Sequence, residues 1–258
     1  MNILMLQTDI AWQSPGENRA AARCLIEGAV AGRVKTDLVI LPEMFTTGFC
    51  TAPEGVAEKD GAETLDWMRA VAKQTGAAIA GSVAVEENGL YYNRFYFVRP
   101  DGSHDFYDKR HLFTYAGENV RYTAGGRRVV VEWRGVRILL QVCYDLRFPV
   151  FSRNRGDYDM IIYLASWPGS RIGAWNTLLK ARAVENACYV TGVNRAGKDP
   201  NTSYNGSSML VDYKGELVSE ADTERQAAFF GKMDMDALRT YRDKFPVLGD
   251  ADDFSIKI

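Results

Sequence analysis

The chain reads as an α/β protein whose sheet is mixed. Short apolar runs alternate with stretches of helical spacing, several runs end abruptly in charge, and two hairpins interrupt the alternation. "NILMLQTDI" is a strand and residues 17–31 have helical spacing. "DLVILPEM" is a second apolar run, and residues 62–75 are a second helix. "AAIAGSVAV" and "YYNRFYFVR" are adjacent strands joined at "EENG", and "RPDG" closes the second with a turn. "RVVVEW" and "VRILLQV" form a hairpin across "RG". A short helix follows near residues 150–155, then the strand "MIIYLASW", a helix over 172–187 and the strand "CYVTGVN". "SSMLVDY" and "ELVSEA" form a second hairpin across "KG", "MDALRTYRDKF" is a late helix, and "GDADDFSIKI" has little helical character. Hairpins require antiparallel pairs, so the sheet is not purely parallel.

At 258 residues the chain is long for one domain, but no low-complexity linker or fixed-period repeat divides it, and residues 1–258 are read as one. A net charge of −2 with interspersed signs leaves no footprint for nucleic acid or an anionic membrane, which points to a small substrate. The start "MNILML" lacks a basic n-region and a small-residue cleavage site, and no apolar run reaches a membrane span. The four cysteines, Cys24, Cys50, Cys143 and Cys188, are scattered without CxxC pairing, as for reduced thiols in a cytoplasmic protein. With only two histidines, His104 and His111, a His-based zinc site is not expected.

Three strand ends carry reactive side chains. Cys143 ends "VRILLQV", Glu43 follows "LVILP", and Lys109 lies where "FYDKRHL" turns to mixed charge. Ligands of α/β sheets gather at strand ends, where backbone and side chains converge on a crevice. A free thiol ionises near pH 8.5 and needs a base or a cation to act as a nucleophile. A carboxylate supplies the base and an ammonium stabilises an oxyanion. Each residue also has an ordinary reading: a buried small hydrophobe, a loop or capping acid, a solvated cation. Spacing alone does not choose between these.

The motifs do. "LPEMFTTGF" (residues 41–49), "YDKRHLF" (107–113) and "CYDLRFP" (143–149) resemble, in order and spacing, the three motif blocks of the nitrilase superfamily of carbon–nitrogen hydrolases. "ARAVENACYV" (181–190) is also similar, and the resemblance runs to about residue 236. It implies a four-layer α-β-β-α sandwich of two mixed sheets. It also implies that Glu43 is the general base, Lys109 the oxyanion-stabilising cation and Cys143 the nucleophile. Glu118 in "YAGENVRY" matches the family's second glutamate and is expected to bond Lys109; the N–H of Tyr144 is the expected second oxyanion donor. No metal or organic cofactor is implied.

Within the superfamily the blocks look closest to the omega-amidase-like branch, which deamidates short dicarboxylic monoamides such as 2-oxoglutaramate and 2-oxosuccinamate. The alternatives are another amide, N-carbamoyl or nitrile hydrolase of the same superfamily and, more remotely, a non-catalytic binding or assembly protein. A distal carboxylate needs a cation: Arg171, beyond "ASWPGS", is the candidate, with a solvated loop arginine as its competing reading. Phe49 and Trp167 are expected pocket walls or core. Asp145 and Arg147 are expected to make buried or capping hydrogen bonds behind the thiol, and Arg182 and Glu185 to pair on their helix. Cys24, Cys50 and Cys188 are taken as packing, and a Cys143–His111 dyad is not part of the family pattern. The resemblance further implies a homodimer or higher homo-oligomer, with residues 241–258 as a possible C-terminal arm.

Overall fold

Alternate side chains of the apolar runs face two different cores, and this builds the layers. The computed structural model describes residues 1–31, 35–60 and 62–256. The first half comprises β1 (Asn2–Gln7), α1 (Pro15–Val30), β2 (Leu38–Ile40), β3 (Glu58–Lys59), α2 (Glu63–Thr75), β4 (Ala78–Glu87), β5 (Leu90–Val98), β6 (His104–Asp108) and the short helix α3 (Glu118–Arg121). The second half comprises β7 (Val130–Trp133), β8 (Val136–Val142), α4 (Pro149–Ser152), β9 (Met160–Ala165), α5 (Ile172–Glu185) and β10 (Tyr189–Asn194). It continues with β11 (Ala196–Lys198), β12 (Ser203–Asn205), β13 (Met209–Val211), β14 (Leu217–Glu220), β15 (Ala227–Lys232) and α6 (Met235–Lys244).

One sheet has the order β15-β1-β2-β4-β5-β6, with β3 beside β4. The other has the order β14-β13-β10-β9-β8-β7. Both are mixed: β1, β2 and β4 run parallel, as do β8, β9 and β10, and the remaining pairs in these orders are antiparallel. The period of two along each strand assigns the faces. Ile3, Met5, Leu38, Ile40, Phe95 and Phe97 meet Ile138, Leu140, Met160 and Ile162 in a core between the sheets. Their neighbours Leu4, Leu6, Val39 and Tyr96 face outward, onto Ala22 and Ile26 of α1 and Met68 and Val71 of α2. On the other side Leu139, Ile161, Tyr163 and Val190 face Trp175, Leu179 and Ala183 of α5. The result is the expected four-layer α-β-β-α sandwich. Each buried aliphatic or aromatic side chain contributes roughly 1.5–3 kcal/mol. Gly192 on β10 lets α5 approach closely, since a Cβ there would lie 2.5 Å from both Leu179 and Trp175.

The sequence reading missed the β11–β12 hairpin and β15. β11 and β12 are three residues each, too short to show a period. "AAFFGK" of β15 has no alternation, because it is half-buried at a sheet edge. Residues 241–256 lie along their own chain. Arg242 donates to Asp159 (2.7 Å) and to the carbonyls of Ala187 and Tyr158, and Arg155 lies over the Phe254 ring. Among the described residues no helix is long and apolar enough to cross a membrane.

Candidate active site

Parallel strands deliver their carboxyl ends to the same side, and here the carboxyl ends of strands from both sheets meet. Glu43 stands three residues past β2, Lys109 directly past β6, Cys143 directly past β8 and Ser166 directly past β9. The Glu43 carboxylate crosses between the sheets: its Oε2 accepts the Ser166 N–H at 2.8 Å. Its Oε1 accepts from Lys109 Nζ at 2.9 Å and from Asn93 Nδ2 at 2.8 Å.

Glu118 begins α3 immediately after Gly117, whose φ of 76° turns the chain inward. It is fully buried. It holds Lys109 Nζ at 3.1 and 2.9 Å through its two oxygens, and its Oε2 also accepts the Phe113 N–H at 2.6 Å. The ammonium is therefore clamped between two carboxylates. Burial alone would lower the Lys109 pKa, but Glu118 and Glu43 outweigh it and hold the amine charged. Burial lifts Glu118 above the ordinary carboxylate range against the pull of Lys109, and the charge on Glu43 adds to the lift.

Cys143 opens a 3-10 turn with φ of 47°, a left-handed conformation that is strained for a side chain with a Cβ and costs about 1–3 kcal/mol. Asp145 holds it there. The fully buried Asp145 accepts from the Val142 N–H (2.9 Å) and Tyr107 OH (2.8 Å) on Oδ2, and from the His111 N–H (3.0 Å) on Oδ1. His111 Nδ1 lies 2.7 Å from the same Oδ1, and its ring stacks on Phe148 with centroids 4.0 Å apart. The expected supporting role of Asp145 is thus observed, and His111 serves Asp145 rather than the thiol. Burial first, then the Glu43 charge, push the pKa of the Cys143 thiol well above the usual range, while Lys109 and the Ser166 N–H pull the other way.

Lys109 and Cys143 open onto a cavity of about 910 Å³. Phe49, Tyr144, Trp167 and Arg171 all line it, whereas Glu43 and Glu118 lie behind its wall. Phe49 faces the Lys109 ammonium, 5.3 Å from its ring centroid. Trp167 is 3% exposed and donates its indole N–H to the Arg171 carbonyl at 2.9 Å, so it is both core and wall. Tyr144 is the second residue of the 3-10 turn, where an N–H has no partner within the helix. The Arg171 guanidinium lies over the rings of Phe113 and Tyr115 without a carboxylate partner among the described residues.

Arg147 departs from expectation. Among the described residues it makes no buried or capping hydrogen bond; it is exposed, lies over the Trp167 ring at 5.1 Å and lines the cavity. In a turn that buries Asp145 and Leu146, the next side chain must point out, and out is the cavity. Arg182 pairs with Glu185 at 3.0 Å as expected, and also donates to the Leu146 carbonyl at 2.6 Å, which ties α5 to the turn behind the thiol. Cys24 is exposed, and Cys50 and Cys188 are buried away from the cavity. Sequence reasoning also missed Asn93 and Ser166, whose roles come from hydrogen bonds to residues far along the chain. It missed Lys198 and Asn205 too, which the β11–β12 hairpin brings to the opposite wall.

The family model described as carbon-nitrogen hydrolase matches residues 4–243. The omega-amidase YafV of Escherichia coli (strain K12) is 46% identical over 99% of this chain and 98% of its own length. A 2-oxoglutaramate amidase of Bacillus subtilis (strain 168) is 33% identical over 96% of each chain. A solved structure of a CN-hydrolase superfamily protein from Xanthomonas campestris, with an arsenic adduct in its active site, superposes with a TM-score of 0.96. It is 42% identical and covers 100% of this chain and 99% of that one. From its motif blocks to its layered sheets, the chain belongs to the carbon–nitrogen hydrolase family.

Proposed function

We propose that the protein is an omega-amidase that hydrolyses the terminal carboxamide of short dicarboxylic monoamides, 2-oxoglutaramate among them, through a cysteine thioester. The observation that carries this reading is the Lys109 ammonium, clamped between two buried carboxylates, on the same cavity as the Cys143 thiol. The names of the relatives at 46% and 33% identity support the choice of substrate.

The thiol rests protonated, so attack and proton transfer go together. Cys143 Sγ bonds to the amide carbon as its proton passes to Glu43. Lys109 and the Tyr144 N–H receive the oxyanion, a contribution of about 3–4 kcal/mol per well-placed donor. The tetrahedral adduct collapses as Glu43 returns the proton to the leaving nitrogen, and ammonia departs from a thioester. Glu43 then takes a proton from water, whose oxygen attacks the thioester carbon, and the proton goes back to sulfur as the acid leaves. Glu118 keeps Lys109 charged and in place throughout. The substrate's distal carboxylate is read as binding Arg171 and Arg147, which face the cavity without acidic partners among the described residues.

This reading includes a cytoplasmic site of action, supported by four unpaired cysteines. It also includes a homo-oligomer, supported by exposed Val150, Val184 and Phe245 along α4, α5 and the C-terminal segment. The test of the activity is ammonia release from 2-oxoglutaramate, with Cys143→Ala expected to abolish it. Release that survives the substitution removes the thiol mechanism. Faster turnover of nitriles or N-carbamoyl amino acids transfers the enzyme to another branch of the family.

A further inference from the structure

Asn93 sits on β5, fully buried, between the two carboxylates. One Nδ2 reaches both: 2.8 Å to Glu43 Oε1 and 3.2 Å to Glu118 Oε1. Its Oδ1 accepts the hydroxyl of buried Ser82 on β4 at 3.0 Å. Ser82 Oγ in turn accepts the Met44 N–H at 2.9 Å, directly after Glu43. The orientation of the amide follows from chemistry. Ionised carboxylates only accept, so the NH2 must face them, and a hydroxyl already receiving an N–H has its own proton free for Oδ1. The backbone joins in, because the Asn93 carbonyl accepts the Lys109 N–H at 3.0 Å.

We propose that Asn93 is a positioning residue for the hydrolytic reaction, whose planar NH2 fixes the Glu43 and Glu118 carboxylates at one separation around Lys109 and keeps Glu43 aimed at Cys143. Lys109 cannot do this alone: its ammonium is a point charge on a flexible stem, and two like-charged groups around it repel. A rigid amide held from behind by Ser82 sets direction as well as distance. The inference rests on the reading of Glu43 as the base, and it assigns a part in the reaction to two residues, Asn93 and Ser82, outside the three motif blocks.

The experiment compares wild type, Asn93→Ala and Ser82→Ala by kcat, KM and the pH dependence of kcat/KM with 2-oxoglutaramate, and by the pH dependence of Cys143 alkylation by iodoacetamide. For Asn93→Ala the expected result is a kcat lower by about 100-fold, as for a misaimed catalytic group. KM should stay within about threefold, because Asn93 does not line the cavity. The acid limbs of both profiles should move to higher pH, since the carboxylate pair loses a shared donor. Ser82→Ala should shift the limbs in the same direction by less, and it stands in if Asn93→Ala does not fold. Acid limbs that stay where they are in the folded variant, whatever its stability, overturn the proposal. Alkylation requires no amide substrate, so its profile separates failure of this inference from failure of the omega-amidase reading, which Cys143→Ala tests.

Discussion

Lys109 Nζ lies 2.9 Å from Glu43 Oε1, and neither side chain has any exposure to solvent. With Glu118 at the same distance on another side, two negative charges and one positive charge share a buried cluster at the cavity wall. Such a cluster is held by mutual compensation, so removing one member does more than delete a contact.

Lys109→Met should therefore destabilise the protein by about 3–5 kcal/mol near neutral pH, besides removing activity. The pH dependence has a definite sign. Without the ammonium, the folded state raises the affinity of the buried carboxylates for protons above that of the unfolded chain. A raised folded pKa stabilises at low pH and is lost as pH rises, so the deficit should be larger at pH 8 than at pH 5.5. Urea unfolding at the two pH values measures it, and a deficit that shrinks with rising pH contradicts the compensation argument.

Glu43→Gln and Glu118→Gln should differ. Glu43 is read as the base for the reacting thiol, and its loss should lower kcat by about 10²–10⁴-fold, the range for a general base. Among the described residues the Glu118 carboxylate accepts hydrogen bonds from Lys109, Asn93 and the Phe113 N–H. Glutamine there sets its own N–H2 against donors, which should cost about 1–3 kcal/mol of stability and a smaller share of kcat. Parallel kinetics and thermal melts separate the two.

Thiol titration offers an independent check. In the wild type, burial and then the Glu43 charge hold the Cys143 thiol protonated well above its usual range. Thiolate absorbance near 240 nm, as the difference from Cys143→Ser, should therefore be absent at neutral pH. Glu43→Gln removes that charge while Lys109 stays, so the thiolate should form at lower pH even as hydrolysis is lost. An unchanged or higher titration midpoint in Glu43→Gln would refute the assigned cause.

Arg171→Met and Arg147→Met should each raise KM for 2-oxo monoamides by about 10–100-fold with little change in kcat, as expected for a lost charge-assisted hydrogen bond worth about 1.5–3 kcal/mol. Neutral amides of the same length serve as the control, and equal losses on both substrates would mean that the arginines shape the cavity rather than hold a carboxylate.

Gly125→Ala should act at a distance. A Cβ at Gly125 would lie 2.0 Å from the Asp108 carbonyl, next to Lys109, whose own carbonyl accepts the Gly125 N–H at 3.0 Å. The end of β6 must shift, moving Lys109 in its clamp. Activity should fall further than the melting temperature predicts, which a side-by-side assay and melt would show.

The sequence alone determined the α/β class, the mixed sheets, and Glu43, Lys109 and Cys143 as strand-end residues, because alternation of apolar positions and abrupt changes to charge are local properties of a chain. With the motif blocks it also brought Glu118, Phe49, Tyr144, Trp167 and Arg171 into view, and all of them lie at the clamp or on the cavity wall. Other features exist only in three dimensions. Asn93, beside Arg94, looks like an ordinary polar position in a largely apolar strand until folding brings Glu43, 50 positions away, and Glu118, 25 positions away, to its amide. Arg147 reads as part of a buried turn until the burial of Asp145 and Leu146 sends it into the cavity. The β11–β12 wall is invisible because three-residue strands carry no period. Local pattern decides which side chains are buried; only the packing of two sheets face to face decides which of them meet.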